Sequence, residues 1–185
     1  MMPMKMLTTL LLACCLPISA QMTDHGVSEN GKPLASPAQM TSVTVGGQSI
    51  TIHYNSPSIR GRKVMGDLVP FGQVWRTGAN PATKFETTGD FKVGDLKVPA
   101  GNYTLYTLPA APGTPWKLIL STQTGQWGTE YHEDKDLGRT PMHFAKLPAP
   151  QEVMTISFEH TTPKTTELHV KWETTDEWVE IKTAK

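Results

Sequence analysis

The chain has 185 residues and balances 17 Lys+Arg against 17 Asp+Glu. No global field therefore draws it to nucleic acid or to an anionic membrane, and its longest basic group, Arg60-Gly61-Arg62-Lys63, is too short to supply one. Its two cysteines, Cys14 and Cys15, sit together near the start.

Lys5 precedes an apolar run from Leu7 to Pro17, and Ile18-Ser19-Ala20 follows. A positive start, a short apolar core and a small residue predict a secretory signal cut after Ala20, hence a periplasmic or secreted protein. The run is too short to span a bilayer as a helix, and no other transmembrane segment is expected. A rival processing site exists: Leu11-Leu12-Ala13-Cys14 has the form of a lipobox, which would leave the same domain tethered by lipid on Cys14. Cleavage after Ala20 removes both cysteines, so no disulfide, thiolate nucleophile or cysteine metal site is expected in the mature chain. About 165 residues then remain, enough for one domain held by its core alone.

Residues 21–39 are polar, with Ser28, Pro33, Ser36 and Pro37, and are expected to be a flexible lead-in. The domain proper is placed at 40–183. No window keeps a 3.6-residue apolar period, whereas period-two alternation recurs. Val43 to Val45, the Gly46-Gly47 turn and Ser49 to Tyr54 form a predicted hairpin, with Ile50, Ile52 and Tyr54 on one face. Lys84 to Thr87 is a short strand. Phe91 to Val93 and Leu96 to Val98 flank a Gly94-Asp95 turn, and Tyr103 to Leu108 follows. Trp116, Leu118 and Leu120 share one face of the next strand. Val153 to Phe158 and Glu167 to Trp172 alternate and are joined through Pro163 and Lys164. Trp178 to Ile181 is expected as a separate last strand, pairing back on Glu167 to Trp172 through a turn near Asp176-Glu177. The sum is an all-β domain, a β-sandwich or jelly roll of about eight to ten mainly antiparallel strands.

Between the first hairpin and Lys84 lies a segment rich in Gly, Pro and charge that also carries large apolar residues at intervals, as an ordered loop pinned to a core does. Arg76 lies between Trp75 and Thr77-Gly78. Its guanidinium can offer a rigid fork to a carboxylate, a sulfate or sugar hydroxyls, or it can clamp the loop by bonding backbone carbonyls or Asp67. Trp75 is a stacking platform or a core plug. Asn80 before Pro81 suits a ligand contact or an Asx turn. Tyr54 and Tyr106 can place hydroxyls in a cleft. Arg60, Arg62 and Lys63 form a positive cluster, most simply a solvated loop flank. The candidate ligand-binding set is thus Tyr54, Trp75, Arg76, Asn80 and Tyr106.

Three strings carry a resemblance: Tyr54 to Val64, Gly66-Asp67-Leu68-Val69-Pro70-Phe71-Gly72, and Val74-Trp75-Arg76-Thr77-Gly78-Ala79-Asn80. With Leu96 to Tyr103, Leu105-Tyr106-Thr107, Trp116 to Leu120 and Thr124 to Gly128, they resemble the DUF2911 family of exported bacterial β-rich proteins, from about Ser36 to Ile181. The resemblance implies a β-rich fold and an envelope location. It implies no activity, cofactor or catalytic residue.

Chemistry elsewhere is sparse. His25, His53, His132, His143, His160 and His169 include no His-x-His or His-Glu-x-x-His. His132-Glu133-Asp134 is the one place where a His is followed directly by two acids, so His132 and Asp134 with His143 are weak metal candidates. No Gly-x-Ser-x-Gly elbow, P-loop or dinucleotide fingerprint occurs, and no cofactor is expected. The favoured function is binding of a small molecule, saccharide or peptide in the cell envelope, without catalytic residues. The alternatives are an envelope hydrolase or lyase using His132, Glu133 and Asp134 with His143 or Arg76, and a purely structural or interaction protein.

Overall fold

The computed structural model of the protein describes residues 35–184. The expected export segment, with a cut after Ala20 or lipid at Cys14, and most of the expected lead-in lie outside the described residues.

Among these residues ten strands form two antiparallel sheets. β1 (Ala38–Val45), β2 (Gln48–Asn55), β3 (Thr83–Thr87), β6 (Gly101–Leu108), β7 (Lys117–Ser121) and β8 (Asp136–Pro141) make the first, in that order. β5 (Leu96–Val98), β4 (Phe91–Val93), β10 (Thr165–Thr183) and β9 (His143–Glu159) make the second. Alternation places Ile50, Ile52, Phe85, Tyr103, Leu105, Leu118 and Leu120 on the inner face of the first sheet. They share one core cluster with Phe91, Val93, Met154, Ile156, Leu168, Val170 and Trp172 of the second. The all-β sandwich architecture expected from the sequence is therefore present, and neither sheet closes into a barrel. Among the described residues the first strand, β1, begins at Ala38, two residues before the expected start of the domain at 40.

Residues on the outer face of the first sheet form a smaller cluster of Ala82, Tyr106 and Ile119. Tyr54 faces inward with Ile50 and Ile52, so the two candidate tyrosines belong to opposite sides of one sheet.

β10 departs from the expected pair of strands. It runs unbroken from Thr165 to Thr183, and Trp178 to Ile181 pair with β9 and β4 rather than with Glu167 to Trp172. Register shifts flank Glu173, whose φ is 51°. Leu168, Val170 and Trp172 are buried before this bulge, and Glu177, Val179 and Ile181 after it, so the inward parity changes from even to odd. An inserted residue does this while bending the strand. The bend is sharp: His169 Nδ1 lies 2.8 Å from Asp176 Oδ1, although seven residues of flat strand would span about 23 Å.

The crossover between β2 and β3 closes the sandwich at one side. Pro57 and Ile59 exchange backbone bonds with Met154 and Glu152 of β9, both 2.9 Å. Val64 and Val69 are fully buried, and Glu173 Oε1 accepts from Val64 N at 3.0 Å. Trp75 then pairs with Thr107 of β6 in both directions, at 2.8 and 2.9 Å. The loop is thus pinned to both sheets.

Candidate functional site

A cavity of about 240 Å³ opens under this crossover. Pro57, Leu68, Val69, Trp75 and Trp172 give it apolar walls, and Ser36, Arg62 and Arg76 give it polar ones. Among the described residues no carboxylate lines it.

Trp75 stacks on Trp172 with ring centroids 6.0 Å apart and planes 15° apart, and meets Trp116 edge-on at 6.1 Å and 84°. Trp172 Nε1 donates to Glu152 O at 3.2 Å. The indole of Trp75 is therefore both a plug over the core and a rigid wall of the cavity. Its position is set by the Thr107 pairing and by Thr77 at φ 52°, whose hydroxyl bonds Thr107 Oγ1 at 3.1 Å.

Arg76 forms no hydrogen bond or ion pair among the described residues, and its Nε is buried without an acceptor. Its stem packs so closely on Gly128 that a Cβ there would stand 2.0 Å from Arg76 Cδ. The clamp, the commoner of the two roles expected for Arg76, is not seen among the described residues: neither a backbone carbonyl nor Asp67 receives this guanidinium. Burial pushes its pKa below the ordinary value, yet a guanidinium keeps its proton in any protein site. The result is a permanent cation whose Nε donor is dehydrated and has no partner among the described residues, and such a donor costs free energy until an acceptor arrives. Arg62 stands on the same cavity, oriented by bonds to Ile59 O at 3.0 Å and Ser58 O at 2.7 Å.

Of the five sequence candidates, Trp75 and Arg76 meet at this cavity and the other three do not line it. Tyr54 is buried, and its hydroxyl bonds the backbone of Ile156, with Ile156 N donating at 3.2 Å. It ties β2 to β9, and burial pushes its pKa up. Asn80 takes φ 60° and turns its amide toward Ser36 O at 3.4 Å. Tyr106 donates to Glu130 O at 2.9 Å and accepts from Gln126 Nε2 at 2.9 Å on the outer face. Arg62 entered the sequence reading only within the positive flank. That Leu68 and Trp172 share a wall with Trp75 has no sequence signal, because Trp172 comes from the other sheet.

The His132-Glu133-Asp134 run lies on an exposed turn. Glu133 pairs with Arg139 at 2.9 Å and Asp134 with Lys135 at 3.0 Å. His143 stacks on Trp178 at 4.3 Å instead of joining them. An acid expected at a turn lies instead within β10, in the core. Glu177 is fully buried, accepts from Trp116 N at 3.1 Å through Oε2, and leaves Oε1 without a partner. Burial drives its pKa from 4.5 to about 7.

The family model for a protein of unknown function, DUF2911, matches residues 36–181. The chain belongs to this family. No curated protein and no solved structure matches it. Among the described residues no helix is long and apolar enough to cross a membrane.

Proposed function

We propose that this DUF2911 domain binds the carboxylate-bearing end of a small molecule, an acidic saccharide or a peptide terminus, in the cavity between Trp75 and Arg76. The observation that carries this reading is the buried Arg76 Nε, without a partner among the described residues, on a cavity whose described lining holds two arginines and no acid. An anion would satisfy its buried Nε–H, and the planar fork suits a carboxylate held by two hydrogen bonds. The indole pair supplies a flat apolar surface for a sugar face or a side chain. The volume is below the 300–1,000 Å³ of pockets that enclose whole drug-sized ligands. It suits one sugar ring or one terminal residue. The export segment at Lys5 to Ala20 supports the cell envelope as the place where this occurs.

Calorimetry separates the outcomes. Glucuronate and a dipeptide are titrated against their neutral counterparts, glucose and the dipeptide amide. The carboxylate forms should bind at least tenfold more tightly. Arg76→Ala should weaken them by about 10- to 100-fold, as loss of a charged hydrogen bond does. Arg76→Lys should recover little, since a point charge lacks the fork. Equal affinity in wild type and Arg76→Ala would overturn the site.

A further inference from the structure

A second constellation lies on the outer face of the other sheet. His160, Glu167 and His169 place one donor atom each within 4.8 Å of one another. Glu167 Oε2 is 2.6 Å from His160 Nδ1 and 3.1 Å from His169 Nε2. Two features of the fold assemble them. The β9–β10 hairpin turn, with His160 at φ 48°, brings that ring beside β10. The bulge at Glu173 then brings Asp176 back onto His169.

We propose that His160, Glu167 and His169 bind a first-row divalent transition-metal ion of the Zn²⁺ class, with Asp176 as the carboxylate behind the buried ligand. Asp176 takes the His169 Nδ1–H at 2.8 and 3.1 Å. That bond fixes the ring and leaves the Nε2 lone pair, 3.1 Å from Glu167 Oε2, free to bind the ion. A metal-bound histidine typically has such a carboxylate behind it. Two imidazoles and one carboxylate are a donor set zinc accepts, and three protein ligands leave a fourth position for water. His160 is exposed, so that position is open to solvent.

The charge and the distances agree with this assignment. Glu159, Glu167 and Asp176 surround the cluster, and Lys171 is the one Lys or Arg paired with them among the described residues, 2.6 Å from Glu159 and 3.8 Å from Asp176. With neutral imidazoles the surroundings carry two excess negative charges, matching a dication. Donors around a tetrahedral zinc stand about 3.3 Å apart. The His169–Glu167 separation of 3.1 Å is already close to this. The His160–Glu167 pair must open by less than 1 Å, through rotation of an exposed side chain. Aromatic rings wall the inner side: Trp178 stacks on His169 at 5.9 Å and on His143 at 4.3 Å.

The test uses untagged, chelator-stripped protein titrated with Zn²⁺ by calorimetry and with Co²⁺ by visible absorption. Binding should be one to one, and Co²⁺ should give the intense bands of a four- or five-coordinate ion. His160→Ala and Glu167→Gln change residues at the solvent side, and each should weaken binding at least tenfold while circular dichroism is unchanged. Asp176→Asn should weaken it by 10- to 100-fold, the usual effect of losing the group behind a ligand. His53→Ala, at the exposed His53–Glu86 pair, should leave it unaltered. Absence of stoichiometric binding, or equal affinity in wild type and His160→Ala, would show that these side chains serve only as an ionic staple of the hairpin.

Discussion

Replacing Glu177 with glutamine should flatten the dependence of stability on pH between about 5 and 8. The carboxyl is fully buried, its Oε1 has no partner, and its pKa rises from 4.5 to about 7. Burial is the main cause, the Trp116 N–H works against it, and the neighbouring Asp176 charge adds to it. Between those two values the folded state holds a proton that the unfolded chain has released. Stability must therefore fall as pH rises from 4.5 toward 7, and level off above. A shift of about 2.5 units corresponds to about 3 kcal/mol, an upper figure because the core can relax around the ionised group. The substituted glutamine side chain keeps an acceptor for Trp116 N–H but cannot ionise. Its own buried amide adds an offset of about 1–3 kcal/mol that does not vary with pH. The quantity to compare is thus the slope. Denaturant unfolding at pH 5, 6, 7 and 8 should show wild type losing up to about 2.5 kcal/mol more than Glu177→Gln over this range, the remainder of the shift being lost below pH 5. Parallel profiles for the two proteins would refute the claim that a neutral carboxyl sits in this core.

Two further substitutions test how the crossover holds the cavity. Gly66 has φ 84°, and a Cβ there would stand 2.8 Å from the Phe71 ring, so Gly66→Ala should cost about 1–3 kcal/mol in chemical denaturation. It should also weaken ligand binding, because Leu68 and Val69 on the same turn form cavity wall. Tyr54→Phe leaves Ile156 N–H buried without its 3.2 Å acceptor and should cost about 1–3 kcal/mol. Carboxylate affinity should be unchanged, since Tyr54 does not touch the cavity; a parallel loss of affinity would return Tyr54 to the site.

Local chemistry was enough to identify most of the strands. Alternation in Ile50, Ile52 and Tyr54, in Tyr103 to Leu108, and in Trp116 to Leu120 reports a surface with one buried side wherever it occurs. Gly46-Gly47 and Gly94-Asp95 announced their hairpins through residues that accept positive φ. Trp75 and Arg76 stood out because a large aromatic and a charge inside a Gly-rich loop need a structural or chemical reason. β8 and the first half of β9 were missed. Their residues from Asp136 to Glu152 are mostly exposed or half-buried and include Pro141, Pro148 and Pro150, so no apolar period marks them.

The tertiary structure alone decided the rest. Continuity of β10 through Glu173 was hidden because the bulge reverses the parity of buried positions, and a broken alternation looks like a turn. Whether Arg76 clamps the loop or stays free depends on which acceptors the folded chain brings near it, and those lie far away in sequence. The same holds for His160, Glu167, His169 and Asp176. Their spacing of seven, two and seven residues matches no ligand motif, and only a hairpin turn and a bent strand bring them together. Periodicity is a property of neighbours along the chain, so it can declare strands; a site made where strands bend and loops cross is a property of neighbours in space.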